Sequence, residues 1–283
     1  MRNHPLSTFL TVANLVLALE SQALAAHLNQ TNCTPTIGSC GCVIASPGTY
    51  KVGLNLTASQ GLNGDDSCIS IAASYVTVDF AKKTITNSGT QPTGIGITTR
   101  KGVHNLLLEG RGATVSGWDV GILFQGRNST IDNFVATNNG TAGFELSQAK
   151  SNNVVNINSN TNSNYGVWVR ASSFNQINNL KTQTNGNIGT YVGCSAVGPA
   201  GACVGIANSN SNWIFTNAIA GNTNYGIALD VGANVSIVTN NTLGTGGAHN
   251  GKFDLFDGNS NCGTNQWISN DSTATVSPSS CVK

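Results

Sequence analysis

A short pattern of one glycine followed by alternating apolar residues recurs through the middle of the chain. It occurs as Gly121-Ile122-Leu123-Phe124, Gly143-Phe144-Glu145-Leu146, Gly166-Val167-Trp168-Val169, Gly189-Thr190-Tyr191-Val192 and Gly226-Ile227-Ala228-Leu229, with spacings of 22, 23, 23 and 37 residues. A second series of single aliphatic residues follows it and shares its one long gap: Leu107, Ile131, Val155, Ile177, Ile214 and Ile237. A fixed period of this length is typical of a solenoid, in which stacked repeats supply the core.

The content of each repeat predicts strands. Apolar and polar residues alternate over only three to five positions, whereas a helical repeat requires amphipathic runs of ten or more residues. Successive strands separated by a whole coil run in the same direction, so the sheets are parallel and the coils stack at roughly 4.8 Å. We therefore expect an all-β parallel β-helix of roughly nine to eleven coils with about 22–24 residues each. The long gap predicts one insertion near 193–204, which holds Cys194 and Cys203.

Composition agrees with this architecture. Asparagine occurs 38 times in 283 residues, and charged residues make up only 9%. Asparagine tolerates the left-handed backbone of tight corners, and stacked amide side chains bond from coil to coil. The net charge of +1 and the scattered basic residues give no electrostatic basis for binding nucleic acid.

The first 25 residues have the pattern of a signal peptide. Arg2 precedes an apolar stretch from Phe9 to Leu19, and Ala23-Leu24-Ala25 forms a small-x-small cleavage pattern. A retained amphipathic anchor is the alternative interpretation. No other segment approaches the length of a membrane span, so we expect a secreted, extracellular or periplasmic protein.

All eight cysteines lie beyond the signal segment, and their even number fits an oxidising compartment. We expect four local disulfides: two among Cys33, Cys40, Cys42 and Cys68, one joining Cys194 to Cys203, and one joining Cys262 to Cys281. No Cys-x-x-Cys pair or matching histidine cluster indicates zinc.

The two ends of the mature chain differ from the repeats. Residues 26–60 lack the repeat and are interpreted as an N-terminal cap, and 61–283 as the β-helix with a C-terminal disulfide clasp. The oxygen-rich residues Asp254, Asp257, Asn259 and Asn261 lie in the closing segment. They lack the spacing of an EF-hand loop, so corner hydrogen bonds are favoured there over calcium.

Strand alternation predicts a row of functional side chains. Val167 and Val169 point inward, so Trp168 and Arg170 point outward. One outward row then contains Leu123, Glu145, Trp168, Tyr191 and Ala228, and the next contains Gln125, Ser147, Arg170, Gly193 and Asp230. Aromatic rings flanked by charges suit sugar rings, which stack on aromatic faces. The alternative is a structural face that the insertion around Cys194 and Cys203 covers.

Several segments resemble secreted proteins of the pectate-lyase-like superfamily, whose members are right-handed parallel β-helices. The segments are Pro47-Gly48-Thr49-Tyr50, Cys68-Ile69-Ser70-Ile71, Tyr75-Val76-Thr77-Val78-Asp79-Phe80, Gly94-Ile95-Gly96-Ile97 and the closing Phe253-Asp254-Leu255-Phe256-Asp257 with Asn261-Cys262-Gly263. The resemblance implies fold more specifically than activity. The motifs of polygalacturonases and alginate epimerases are absent, and Asp65 and Asp66 only faintly resemble a catalytic aspartate pair.

The chemistry that this face allows depends on the separation of its carboxyl groups. Glu145 and Asp230 lie three coils apart, on the order of 14 Å, which is too far for a glycosidase pair. Asp119 and Glu145 lie on adjacent coils and can approach each other. By analogy with pectate lyases, Arg170 serves as a base or neutralises a sugar carboxylate, and Tyr191 is an alternative base. Glu145, Asp230 or Asp254 could hold Ca²⁺.

Two classes of function remain open. One is a lyase or epimerase on uronate polysaccharide, with catalytic Arg170, Tyr191, Glu145 and Asp230 and substrate-binding Trp168, Tyr191 and Asp119. The other is a non-catalytic secreted protein that binds glycan or has a structural role at a surface. Both predict a polysaccharide partner, and we expect a monomer.

Overall fold

The computed structural model describes residues 31–58, 66–193, 209–244, 248–272, 276–277, 280 and 282. The predicted signal segment 1–25, Asp65, Cys194, Cys203 and Cys281 lie outside the described residues. The described residues form strands and one short 3-10 turn, Ser260–Cys262, and no α-helix. Within these ranges, no helix has the length and apolar character required to cross a bilayer.

Twenty-eight strands follow one another along the described chain. They are β1 Thr31–Asn32, β2 Thr36–Ile37, β3 Cys42–Ile44, β4 Gly48–Val52, β5 Leu56–Ala58, β6 Ser67–Ile71, β7 Val76–Asp79, β8 Thr84–Asn87, β9 Ile95–Thr99, β10 Leu107–Ser116, β11 Val120–Phe124, β12 Thr130–Thr137, β13 Ala142–Ser147, β14 Asn153–Val155, β15 Asn158–Asn160, β16 Tyr165–Arg170, β17 Gln176–Asn178, β18 Lys181–Gln183, β19 Ile188–Val192, β20 Trp213–Phe215, β21 Ala218–Ala220, β22 Tyr225–Leu229, β23 Ile237–Thr239, β24 Thr242–Leu243, β25 Phe253–Asp257, β26 Gln266–Ile268, β27 Asp271–Ser272 and β28 Val276–Ser277.

These strands stack into three parallel ladders, one for each side of the coil. The main sheet has eleven strands in the order β1-β3-β6-β9-β11-β13-β16-β19-β22-β25-β28. A second ladder runs β2-β4-β7-β10-β12-β14-β17-β20-β23-β26, and a third runs β5-β8-β10-β12-β15-β18-β21-β24-β27. The long strands β10 and β12 take part in both of these ladders. The prediction of an all-β parallel β-helix is confirmed.

The interior is a continuous apolar core. Val167 and Val169 are fully buried within it, as the alternation predicted. The second aliphatic series was partly wrong, because the strand register aligns Leu108, Ile131, Val154, Ile177, Ile214 and Val238. At three repeats two aliphatic residues are adjacent, and the outward member was chosen: Leu107, Val155 and Ile237 instead of Leu108, Val154 and Val238.

Buried asparagines form ladders along the corners of the coil. In the longest, each Nδ2 donates to the Oδ1 of the next coil at 2.9–3.0 Å, and the last donates to Asp254 at 2.7 Å. Its members are Asn139, Asn162, Asn185, Asn222 and Asn250. Two shorter ladders contain Asn152, Asn175 and Asn212, and Asn217, Asn241 and Asn270. The asparagine excess therefore has the architectural role that composition predicted.

The longest ladder also explains the repeated glycine. A Cβ at Gly166 or Gly189 would lie 2.7 Å from the Nδ2 of Asn185 or Asn222, closer than real Cβ contacts allow. Gly143 has the same relation to Asn162. The glycine of each repeat therefore leaves room for the corner amide of the following coil.

The disulfides lie where the sequence predicted local pairs. Cys33 bonds to Cys42 and Cys40 bonds to Cys68, which fixes the first coils to each other. Cys262 is also disulfide-bonded, and its predicted partner Cys281 is not described. Residues 31–58, assigned to the cap, contribute β1 to β5 to the same three ladders.

Candidate functional site

The outer surface of the main sheet carries the row that strand alternation predicted. Leu123, Glu145, Trp168, Tyr191 and Ala228 are register partners on β11, β13, β16, β19 and β22. Arg170 pairs with Ser147 in the neighbouring row. The two-residue period of each strand and the register between coils thus bring these side chains onto one face.

The centre of this row is buried. Trp168 is 4% exposed and Tyr191 is fully buried, and both rings pack with Tyr165 in an aromatic cluster outside the main core. The Trp168 Nε1 donates to the carbonyl oxygen of Gly193 at 2.8 Å. The Tyr191 hydroxyl donates to Asp230 Oδ2 at 2.6 Å. In this structure neither ring is open to a sugar, and residues 194–208, which were expected to include the covering insertion, are not described.

Arg170 and Glu145 form an ion pair at the edge of the cluster. The Arg170 Nε donates to Glu145 Oε1 at 2.9 Å, and its Nη2 donates to Ser147 Oγ at 3.2 Å. The guanidinium carbon lies 5.0 Å from the centre of the Trp168 ring, within the range of a cation–π contact. The Arg170 side chain is 37% exposed and that of Glu145 is 4% exposed. Arg170 is therefore the more accessible partner of this pair in this structure.

Burial raises the pKa of Glu145 above its ordinary value of 4.5, because desolvation disfavours the carboxylate. The charge of Arg170 and its hydrogen bond act in the opposite direction and lower that pKa. The negative charge of Asp119 raises it further, as expected for residues on adjacent coils. Asp119 is exposed, and its Oδ1 accepts a hydrogen bond from Thr141 Oγ1 at 2.7 Å.

A cavity of about 400 Å³ lies on the same face, one coil before Glu145. We call it the outer cleft, and its lining includes Thr98, Arg100, Lys101, Leu123 and Gln125. Leu123 is the register partner of Glu145 on one side and of Thr98 on the other, so the cleft adjoins the ion pair. Arg100 and Lys101 were not among the residues predicted from the sequence, although extending the second outward row by one coil beyond Gln125 reaches Arg100.

The structure does not bring the proposed calcium ligands together. Asp230 accepts from Tyr191 and from the Val231 backbone, and Asp254 accepts from Asn250 and Ser272. Among the described residues, no group of three histidine, cysteine or acidic side chains is arranged to hold a metal ion.

The closing segment contains the corner hydrogen bonds that the sequence favoured. Asp257 accepts from the side chains of Asn259, Asn265 and Trp267 at 2.8–3.0 Å. Because these donors come from the segment that follows β25, Asp257 fixes the last coils to the main sheet.

The comparisons with known proteins identify the fold. No family model matches the chain, and no curated protein matches its sequence. The Dettilon tailspike protein gp208 is similar in structure, with a TM-score of 0.53 and 14% identity over 82% of this chain. The chain spans about half of that tailspike, 52% of its length.

A second similar structure is the A-module of the Azotobacter vinelandii mannuronan C-5 epimerase AlgE6. Its TM-score is 0.51 with 15% identity, and the match covers 92% of this chain and 74% of that module. Both neighbours are right-handed parallel β-helices. The expected handedness is thereby confirmed, and this chain is a right-handed parallel β-helix protein.

Proposed function

We propose that this protein is a secreted enzyme that acts on uronate-containing polysaccharide in the outer cleft, by β-elimination or by epimerisation at C5. The observation that carries the proposal is the ion pair at the edge of that cleft. Glu145 is a buried carboxylate with a raised pKa, its partner Arg170 is partly open to solvent, and the adjoining cavity is lined by two further cations. Perturbed carboxyl groups beside a cleft are typical of sites of proton transfer.

The cations of the cleft account for binding of an acidic sugar. Arg100 and Lys101 supply positive charge within the cavity, and Arg170 supplies it at the boundary with Glu145. A guanidinium matches the two oxygens of a carboxylate in a bidentate geometry. A uronate carboxylate bound by Arg170 is stabilised when its α-proton is removed, since negative charge then develops on it.

Substrate binding also prepares Glu145 as a base. When Arg170 turns to the sugar carboxylate, it no longer lowers the pKa of Glu145, so burial raises that pKa further above its ordinary value. A base whose pKa lies close to the working pH transfers protons most efficiently. The exchange of partners by Arg170 therefore couples uronate recognition to proton abstraction.

In the proposed β-elimination, the Glu145 carboxyl group both accepts and returns the proton. Glu145 takes the C5 proton, the electron pair of that C–H bond becomes the C4–C5 double bond, and the C4–O4 bond breaks. The leaving O4 then takes the proton back from Glu145. In epimerisation the C4–O4 bond stays intact, and the electron pair of the C–H bond is held in the enolate of the sugar carboxylate. A water molecule then protonates C5 from the opposite face, and the resulting hydroxide takes the proton back from Glu145.

In this proposal, the other predicted site residues do not react with the sugar but position Arg170 and Glu145 or contact the substrate. Tyr191 donates to Asp230, and the Tyr191 ring stacks with that of Trp168, which contacts the Arg170 guanidinium. Tyr191 and Asp230 are positioning residues, although the sequence analysis proposed them as catalytic. The negative charge of Asp119 acts on Glu145, and the exposed Asp119 side chain remains a candidate for sugar hydroxyl contacts.

Secretion and the choice of polysaccharide have independent support. The two disulfides are typical of an oxidising compartment. The name of the epimerase module gives a uronan as its substrate, and we extend that chemical class to this chain as part of the proposal.

The test is incubation of the pure protein with polygalacturonate and with polymannuronate, each with Ca²⁺ and with a chelator. Ultraviolet absorbance detects the unsaturated product of elimination, and proton NMR in deuterated water detects exchange at C5. We expect one of these signals and a loss of about 100-fold or more for Arg170→Lys, because the bidentate geometry is lost. Lys181→Ala, on the third ladder, is the matched control. The absence of both signals from every uronan would favour the non-catalytic glycan-binding alternative.

A further inference from the structure

A row of basic side chains runs along the corner that follows the main sheet, at the entrance to the second ladder. His104, Arg127, Lys150 and Ser173 are joined by parallel bridges, one residue from each successive coil. The coil spacing places neighbouring members about 4.8 Å apart. Arg127 and Lys150 are both exposed.

Among the described residues, these cations have no acidic partner. No salt bridge within the described ranges joins Arg127 or Lys150 to a carboxylate. Like charges opposite each other on neighbouring strands repel and destabilise a sheet. The chain has only 13 lysines and arginines in 283 residues. Two of them on adjacent coils are therefore unusual for this sequence. A bound anion would remove the repulsion.

An exposed aromatic residue, Phe174, directly follows Ser173 at the end of this row. Phe174 is 56% exposed, and the Lys150 Nζ lies 5.2 Å from the centre of its ring. Its φ of 60° is in the left-handed region, where Asn105 and Asn128 occupy the same corner of earlier coils. A bulky aromatic residue is an outlier in this backbone conformation. Local folding favours asparagine at this position, so the ring has no conformational reason to be there.

A groove and a second exposed ring lie beside Phe174. The groove has a volume of about 360 Å³, and amide and hydroxyl groups of Asn128, Thr130, Asn153 and Gln176 line it. Trp213 is the register partner of Gln176 on the following coil and is 42% exposed. These groups match the hydroxyls and the apolar faces of sugar rings.

We propose that this surface, the basic track formed by His104, Arg127, Lys150, Phe174 and Trp213, binds a linear acidic polysaccharide parallel to the solenoid axis. The polymer places carboxylate or sulfate groups over Arg127 and Lys150, and sugar rings against Phe174 and Trp213. The track spans four coil spacings, about 19 Å. It lies on another wall than the outer cleft and holds the polymer without reacting with it.

Polysaccharide is favoured over nucleic acid by the composition of the track. Nucleic acids are bound through many phosphate contacts by strongly basic surfaces. Here the chain has a net charge of +1, and the groove beside the two full cations is lined by neutral amides and hydroxyls.

Affinity electrophoresis of the full chain tests the proposal. The gels contain polygalacturonate, dextran sulfate or unmodified dextran. Comparing them distinguishes binding to sugar carboxylates, to sulfate groups and to neutral sugars. We expect retardation in at least one acidic gel and none in dextran. Arg127→Ala with Lys150→Ala should weaken the apparent affinity about tenfold, since each exposed ion contact is worth at most a few-fold. Phe174→Asn should weaken it about threefold to tenfold while suiting the left-handed corner.

The control for net charge is Lys82→Ala with Lys181→Ala, which removes two exposed cations elsewhere on the surface. Equal loss of retardation in this control would overturn the proposal. Complete loss of retardation when a single-stranded oligonucleotide competes with the polysaccharide at equal charge concentration would also overturn it. Thermal unfolding of each variant separates lost binding from lost folding. Catalysis is measured by ultraviolet absorbance and C5 exchange, whereas binding to this track is measured by retardation in the gels, so failure of the proposed catalysis and failure of this track are distinguishable.

Discussion

The outer face of the main sheet and the basic track are built from the same repeating coil but differ in the exposure of their aromatic and polar side chains. On the main sheet, Trp168 and Tyr191 are buried, and their polar atoms bond to Gly193 and Asp230. On the basic track, Phe174 and Trp213 are exposed, and Arg127 and Lys150 have no carboxylate partner in the described parts of the chain. Side-chain chemistry alone therefore does not identify a binding surface in a β-helix, because the same residue types build a second core on one wall.

The contrast predicts first that Trp168→Ala is strongly destabilising. The substitution removes a buried indole from the aromatic cluster, and truncation of buried aromatic residues costs about 3–5 kcal/mol. Urea unfolding measures the change in the free energy of unfolding. Trp213→Ala, at the exposed position, is the matched variant and should change that free energy by less than about 1 kcal/mol. Similar losses in the two variants would remove the distinction between the walls.

A smaller effect is expected at the hydrogen bond beneath that cluster. Tyr191→Phe leaves the buried Asp230 without its 2.6 Å donor, and a buried acceptor that loses its partner costs about 1–3 kcal/mol. The same unfolding measurement checks this, and circular dichroism confirms that the fold is retained. An unchanged free energy would show that water reaches Asp230.

The pH dependence of stability tests the burial of Glu145. Its pKa in the folded protein is raised above the ordinary 4.5 by desolvation, so the folded state binds this proton more tightly than the unfolded state. Stability must then fall as pH rises from about 4.5 through the higher folded pKa. Glu145→Gln should flatten this part of the profile. If the wild-type and variant curves remain parallel across that window, the carboxylate is better solvated than the structure indicates.

The smallest expected effect is a gain at the corner that carries the basic track. Val235 has a φ of 55° and is exposed, and a β-branched residue is strained in this region. Val235→Asn should stabilise the protein by about 1 kcal/mol. A rise in the midpoint of thermal unfolding measures it. A fall instead would show that the Val235 side chain makes contacts that outweigh its backbone strain.

The fold was predictable because it repeats. The glycine series and the inward Val167 and Val169 recur once per coil, so one correct assignment determines the others. The second series failed where Leu107 and Leu108, or Ile237 and Val238, are adjacent, because the alternation cannot choose between two neighbouring aliphatic residues. The register was needed to resolve these pairs.

The candidate site was less predictable for a physical reason. Alternation correctly placed Glu145, Trp168 and Tyr191 in one row, but it separates inward from outward positions and does not report whether an outward face meets solvent. Arg100 lies one coil beyond the last residue of the predicted row, and Lys101 follows a strand end, where alternation no longer applies. The basic track lies at a corner where residues adopt the left-handed conformation, and a two-residue period gives no signal there.

The asparagine ladders give the solenoid a direction. In all three, the donor Nδ2 of one coil points to the acceptor Oδ1 of the next coil towards the C-terminus. The amide dipoles therefore align, and the longest column presents its positive end to the buried Asp254 carboxylate. That carboxylate neutralises the positive end of the amide column. Coils inserted before it should therefore lengthen the solenoid, whereas coils added after it could not continue the same column of hydrogen bonds.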